Sequence, residues 1–213
     1  MKKYVTLLGL AAVTAMAVMA FAGAGSASAT VLCKTTVTPC PEGWDYGAGT
    51  KVDASLEPGS TAVLETSGGG LEDTCSESTV KGEQENTGST TETVKVTVTE
   101  LTFGKCTKPT KVIEGHGTLE FHWIEGTHDA TVTAIGFEVT VEAISGVSCV
   151  YTAGAATDLG VGTSGSMGTI DVSAVVKKKS GAFLCPASSV WTASYTITEP
   201  EPIYVVPSSA VNP

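Results

Sequence analysis

A chain of 213 residues with 22 acids, 12 lysines and no arginine carries a net charge of −10. Arginine supplies the planar fork that grips phosphates and base edges, so its absence at this charge argues against nucleic acid and against anionic lipid as partners. The length allows one fairly large domain or two small ones, with enough chain to bury a core.

The chain opens as a leader. Lys2 and Lys3 precede an apolar stretch from Val5 to about Ala22, and small residues lead into Ala27-Ser28-Ala29, an A-x-A site. Cleavage is expected after Ala29. A membrane anchor is the competing reading, but the stretch is rich in Ala, Gly and Thr and has no stop-transfer charges behind it. Lipid attachment at Cys33 is disfavoured because Leu32 stands where a lipobox wants a small residue. Removing 29 of 213 residues leaves 184, and loss of the two leader lysines moves the charge from −10 to −12.

Next, Pro41-Glu42-Gly43-Trp44-Asp45-Tyr46-Gly47 reads as a loop, so Trp44 and Tyr46 are expected to be exposed, the first aromatic candidates for ligand contact. Gly68-Gly69-Gly70 and Asn86 to Ser89 are further loops. Val94, Val96 and Val98 alternate with Thr93, Lys95, Thr97 and Thr99, the period-two pattern of a strand with one buried face. From Gly117 to Ala134 a hairpin is predicted around a two-residue turn at Glu125-Gly126. That register sets Trp123 opposite His128, His122 opposite Asp129, Phe121 opposite Ala130 and Glu120 opposite Thr131. Leu119, Phe121, Trp123, Ala130, Val132 and Ala134 then share the inner face. Ile135-Gly136 breaks the alternation as a second turn or a bulge.

Phe137, Val139, Val141 and Ala143 continue as a strand, and Gly160 to Gly168 reads as a loop before a β-like run from Thr169 to Val176. Lys177-Lys178-Lys179 before Ser180-Gly181 looks like a solvated turn, with an anion contact as the functional alternative. Trp191, Ala193, Tyr195 and Ile197 form the last clear strand. Pro200, Pro202, Pro207 and Pro213 make 199–213 an extended edge strand and loose tail. The fold class expected is all-β, an antiparallel β-sandwich over 30–198, and Lys108-Pro109 is the best boundary if two halves exist.

Six cysteines, Cys33, Cys40, Cys75, Cys106, Cys149 and Cys185, lie beyond the leader and read as disulfides of an exported chain. Sequence admits 15 connectivities for six cysteines. The expectation adopted is sequential, Cys33–Cys40, Cys75–Cys106 and Cys149–Cys185. A structural metal would need tight pairs of the Cys-x-x-Cys kind, and none occurs, so no metal and no cofactor is expected.

Several stretches resemble a group of uncharacterised secreted proteins of actinobacterial type. They are Leu101-Thr102-Phe103-Gly104-Lys105-Cys106-Thr107, His122-Trp123-Ile124-Glu125-Gly126-Thr127, Gly146-Val147-Ser148-Cys149-Val150-Tyr151, and Cys185-Pro186 through Trp191-Thr192-Ala193-Ser194-Tyr195-Thr196. The resemblance spans most of the chain after the leader. It implies export and a β fold, and it implies no activity.

Chemistry is sparse. His116, His122 and His128 recur every six residues, but a strand rises about 3.3 Å per residue, which sets the first two roughly 20 Å apart. On the predicted hairpin His122 and Asp129 pair with Glu120 alongside, a polar-face site in which a carboxylate orients an imidazole, or an ordinary cross-strand pair. Glu120, Glu125 and Asp129 could supply the two carboxylates of a glycoside hydrolase, which needs them roughly 5–9 Å apart. Gly160-Val161-Gly162-Thr163-Ser164-Gly165 matches a dinucleotide fingerprint, yet a strand follows where that motif needs a helix. No G-x-S-x-G elbow is present. Trp123, Trp191 and Tyr195 fall on predicted core faces.

The reading is of a secreted, extracellular or cell-surface module without catalysis. Its partner would be a cell-wall or environmental polysaccharide or another extracellular protein. The alternatives are a carboxylate-dependent polysaccharide hydrolase, and a secreted inhibitor or ligand carrier, which would need a deep apolar cavity.

Overall fold

The computed structural model describes residues 30–66, 72–107, 111–144, 146–154 and 157–208. Strands of β-branched residues dominate, and no helix among these residues is long and apolar enough to cross a membrane. In chain order the strands are β1 (Thr30–Cys33), β2 (Lys51–Leu56), β3 (Ala62–Thr66), β4 (Glu72–Gln84), β5 (Val94–Cys106) and β6 (Lys111–Trp123). Then come β7 (Ala130–Ile144), β8 (Val147–Gly154), β9 (Thr157–Thr163), β10 (Thr169–Gly181), β11 (Ser188–Glu199) and β12 (Tyr204–Pro207).

All pairings are antiparallel, and the main sheet closes on itself. β4, β5, β6 and β7 form a meander, and β10 pairs with β11. Two composite positions complete the ring. β8 and β9 lie end to end between β7 and β10, and β2 and β3 lie end to end between β11 and β4. The result is two packed walls, sandwich-like as expected, that are continuous along both edges. Closure leaves the main sheet with no unpaired lateral edge strand.

The inner faces follow the alternation, reset at bulges. Val94, Val96 and Val98 point inward, the register slips where Lys81 and Gly82 of β4 meet Glu100 and Val98, and Leu101 then takes the inner side. The break at Ile135-Gly136 is likewise a bulge, with Gly136 at φ +59, and β7 runs through it so that Phe137 resumes the inner face. Trp191 of β11 fills the middle, stacked on Phe137 and edge-on to Phe103 and Tyr195. Two cavities of about 40 Å³ flank it.

The barrel's ends differ. At one, β1 and β12 pair with each other and plug the opening, with Leu32, Ile203 and Val205 joining the main core. Thr30 Oγ1 accepts the Trp123 N–H at 3.0 Å, and the Val205 N–H is donated to the His128 carbonyl at 2.9 Å. The plug requires glycine at 88, whose φ is +81 and where a Cβ would stand 1.9 Å from the Thr30 carbonyl oxygen. The other end is stapled. Cys75–Cys106 ties β4 to β5, Cys149–Cys185 ties β8 to the β10–β11 loop, and Val141, Tyr151 and Val176 pack around the latter. The third disulfide, Cys33–Cys40, holds the loop that follows β1. Disulfides of this kind suit an oxidising compartment.

Several local expectations need correction. Gly160 to Thr163 belong to β9 rather than to a loop, because Gly162 sits between Ala130 of β7 and Ile170 of β10. Lys177 to Gly181 finish β10, and the turn comes later, at Ala182–Cys185. Gly68-Gly69-Gly70 and Lys108-Pro109 lie outside the described residues.

Candidate functional site

The polar face of β6 carries the first candidates. Glu120, largely buried, takes an ion pair from Lys95 of β5 at 3.1 Å and lies 3.7 Å from His122 Nε2. The expected His122–Asp129 pair does not form. Ile124 donates to the Asp129 carbonyl and Thr127 to the Ile124 carbonyl, so four residues, Glu125 to His128, make the hairpin loop in place of two. Trp123 therefore faces Ala130, His122 faces Thr131, Phe121 faces Val132 and Glu120 faces Thr133. A slip of two residues keeps every side chain on its side of the pleat, so the inner face survives while each pair changes. Asp129 Oδ1 instead accepts the Ser164 N–H at 2.8 Å, fixing the β9–β10 loop. Glu125 is exposed at the hairpin tip.

The three histidines are dispersed. His116 is opposite Glu138, His122 is beside Glu120, and His128 Nε2 bonds the Thr36 carbonyl at 2.9 Å while its ring meets Tyr204 edge-on. The only close grouping of three potential metal ligands among the described residues is Asp73, Cys75 and Cys106, and its two cysteines are joined to each other.

Trp44 and Tyr46 part company. Trp44 is 52% exposed, whereas Tyr46, expected at the surface, is 8% exposed and donates its hydroxyl to the Pro202 carbonyl at 2.7 Å. The Tyr46 N–H bonds the Leu32 carbonyl, so the loop folds back onto β1 and carries the ring into the core. Burial pushes the Tyr46 phenol above its ordinary pKa. Lys34 lies 5.2 Å over the ring.

A groove that sequence reasoning missed lies in the wall at the junction of β2 and β3. Ser55 of β2 pairs with Thr79, and Ala62 of β3 pairs with Cys75, so Ser76, Glu77 and Ser78 have no strand beside them on that side. The chain leaves the sheet through the turn Glu57-Pro58-Gly59-Ser60, with Gly59 at φ +86 and Ser60 donating to the Glu57 carbonyl. Pro-Gly at the two centre positions is the type II arrangement. Ser60 Oγ also lies 3.2 Å from the Ser194 carbonyl, anchoring the detour to β11.

The resulting groove has a volume of about 460 Å³ and opens outward. Ser55, Ser76, Ser78, Thr79 and Thr102 line it together with Leu56 and Phe103. Its floor is held from below. Ser78 Oγ donates to the Thr102 carbonyl at 2.7 Å and meets the Tyr195 hydroxyl at 2.8 Å, and the Thr79 and Thr102 hydroxyls bond at 2.6 Å. On its rim Glu77 pairs with Lys105 at 2.6 Å, and that carboxylate's hydrogen bond and charge hold the Lys105 ammonium above its ordinary pKa. Lys105 has φ 50, a left-handed conformation that costs a non-glycine residue about 1–2 kcal/mol.

Comparison with protein-family models, curated proteins and solved structures returned no match. A groove with fixed hydroxyls, two apolar flanks and a single carboxylate already paired to a lysine can hold a polar ligand. It holds no second carboxylate among its lining residues for acid–base work. The available sequence signal was Pro58-Gly59, a turn in the middle of an otherwise strand-like run.

Proposed function

We propose that this is a secreted, non-catalytic binding module that takes a saccharide through the groove at Ser76–Ser78. The observation that carries the reading is the groove itself, lined by serine and threonine residues together with Leu56 and Phe103 and braced by the Ser78 and Thr79–Thr102 hydrogen bonds. Sugars offer the matching surface, hydroxyls around an apolar ring face. The non-catalytic part is supported by the engagement of two of the three candidate acids and of the groove's own carboxylate, while the third, Glu125, stands exposed at the hairpin tip. Glu120 is engaged by Lys95, Asp129 by the Ser164 amide and Glu77 by Lys105. A carrier role draws no support from the two cavities beside Trp191, which measure about 40 Å³ each. Secretion rests on the leader pattern, and the three disulfides agree with it.

The test is a pull-down of oxidised protein, lacking the leader, on insoluble cell-wall and plant polysaccharides, with released sugars assayed in the supernatant. Binding without release is expected, weakened at least about tenfold by Ser76→Trp, which fills the groove from an exposed position. Release of sugars would overturn the reading, and so would binding that Ser76→Trp leaves intact.

A further inference from the structure

The stapled end carries a feature unrelated to the groove. The β10–β11 connection turns at Ala182–Cys185, where the Cys185 N–H bonds the Ala182 carbonyl at 3.0 Å. The two centre positions of a turn ordinarily take Gly, Pro, Asn, Asp or Ser. Here they are Phe183 and Leu184, exposed by 91% and 48%, and Phe183 is the most exposed large apolar residue described.

The loop cannot fold these side chains back. Cys185 is tied to Cys149 beneath it, the Lys178 N–H bonds the Ala187 carbonyl at 2.9 Å, and Lys178 Nζ bonds the Cys185 carbonyl at 3.1 Å. A phenyl ring is thus held out into water by a disulfide and three hydrogen bonds, an apolar point offered for contact.

Charge selects the contact. Lys177, Lys178 and Lys179 lead into the turn and are the only run of three like charges in a chain dominated by acids. On the outer face of β10, Val175, Lys177 and Lys179 succeed one another, all exposed. Lys179 is paired with Glu138, whose carboxyl that bond holds below its ordinary pKa. Glu142, the other acid on the adjoining part of β7, accepts the Gly146 N–H. Lys177 has no carboxylate partner among the described residues, and Lys178 meets only a carbonyl. The net charge of the whole chain disfavours anionic surfaces at long range. At physiological salt, however, screening acts over about 8 Å, which shortens the reach of the chain's other acids, among them Glu65 and Glu72 on the far side of β11 from the lysines.

We infer that the Phe183–Leu184 tip, with Lys177 and Lys178 behind it, docks this protein on an anionic phospholipid surface. A convex apolar point flanked by lysines suits a fluid interface: the side chains enter the acyl boundary while the ammoniums remain among phosphate headgroups.

The experiment is flotation of the oxidised protein, lacking the leader, with vesicles of phosphatidylcholine alone and of phosphatidylcholine mixed with phosphatidylglycerol. Co-flotation with the mixed vesicles, weakened by added salt, is expected. The double variant F183S/L184S should reduce partitioning at least about tenfold, and K177Q about fivefold. Both positions are exposed, so the variants keep the fold, which circular dichroism checks. Absence of wild-type co-flotation overturns the inference, as does co-flotation indifferent to phosphatidylglycerol or to either variant. A wild type that self-associates and becomes monomeric in F183S/L184S also overturns it, because the tip would then be an interface between copies.

Discussion

Trp191 offers a test of how the interior is held together. Its ring is 7% exposed, stacks on Phe137 with centroids 6.1 Å apart, and meets Phe103 and Tyr195 edge-on at 6.1 and 6.3 Å. Both interior cavities touch it, so truncation to alanine would merge existing voids rather than let the walls collapse. The expected loss for Trp191→Ala is about 3–5 kcal/mol. Trp191→Phe should behave differently. It retains most of the apolar contact and deletes Nε1, a buried donor with no acceptor among the described residues. The reduced ring area costs about 1–2 kcal/mol. Removing an unsatisfied donor returns about 1–3 kcal/mol. The net change should lie between a loss of about 1 and a gain of about 2 kcal/mol relative to the wild type. Urea titrations followed by far-ultraviolet circular dichroism, with disulfides intact, would measure both variants. A phenylalanine variant that loses more than half of what the alanine variant loses would refute the reasoning, since the indole N–H would then be making a bond that matters.

Three further outcomes are expected. Burial pushes the Tyr195 phenol well above its ordinary pKa, against a smaller opposing effect of the Ser78 hydrogen bond, and burial raises Tyr151 in the same direction. The folded state then keeps protons that the unfolded chain releases, so the contribution of these tyrosines to stability is constant below about pH 10 and falls above it, and Tyr195→Phe should flatten that decline in denaturation curves across about pH 9–11. Gly88→Ala should cost more than about 2 kcal/mol, because it combines a left-handed φ with a backbone clash. Gly43→Ala, at φ +78 with open space around it, should cost about 1 kcal/mol when both variants are measured by urea titration, and equal losses would show that the plug yields. Asp129→Ala should lose about 1–2 kcal/mol with the Ser164 bond, against less than about 0.5 kcal/mol for His122→Ala, and equal effects would restore the idea of a working pair.

How much of this was legible depended on the range of the interaction. Alternation along Val94–Val98, Phe137–Val141 and Trp191–Ile197 assigned the buried faces, because the side-chain period of a strand is a local property. The hairpin shows the limit. Glu125-Gly126 marked the turn, but loop length depends on where Ile124 and Asp129 close, and an error of two residues preserves faces while scrambling partners. Tyr46 was misplaced for the same reason, since burial of its ring requires the contact with Pro202, 156 residues away. Closure of the walls was invisible too. It requires β2 and β3 to share one position and β8 and β9 another, whereas each reads locally as a short independent strand. The groove at Ser76–Ser78 exists only because of that sharing.

The closed ring also dictates an order of assembly. β2 and β3 find their second neighbour only in β11, and β1 pairs with β12, so the earliest segments of the sheet wait for the latest. Contacts between such distant segments make a slow, high-contact-order fold, and any chain halted before β11 would expose the ladders of β2, β3 and β10 as templates for other chains. The same seam brings the two outermost strands side by side. Joining them by a short linker and reopening the chain at the exposed Glu125-Gly126 hairpin would reorder the sequence without removing one rung of the sheet, and the permuted protein would zip from a different starting point to the same barrel.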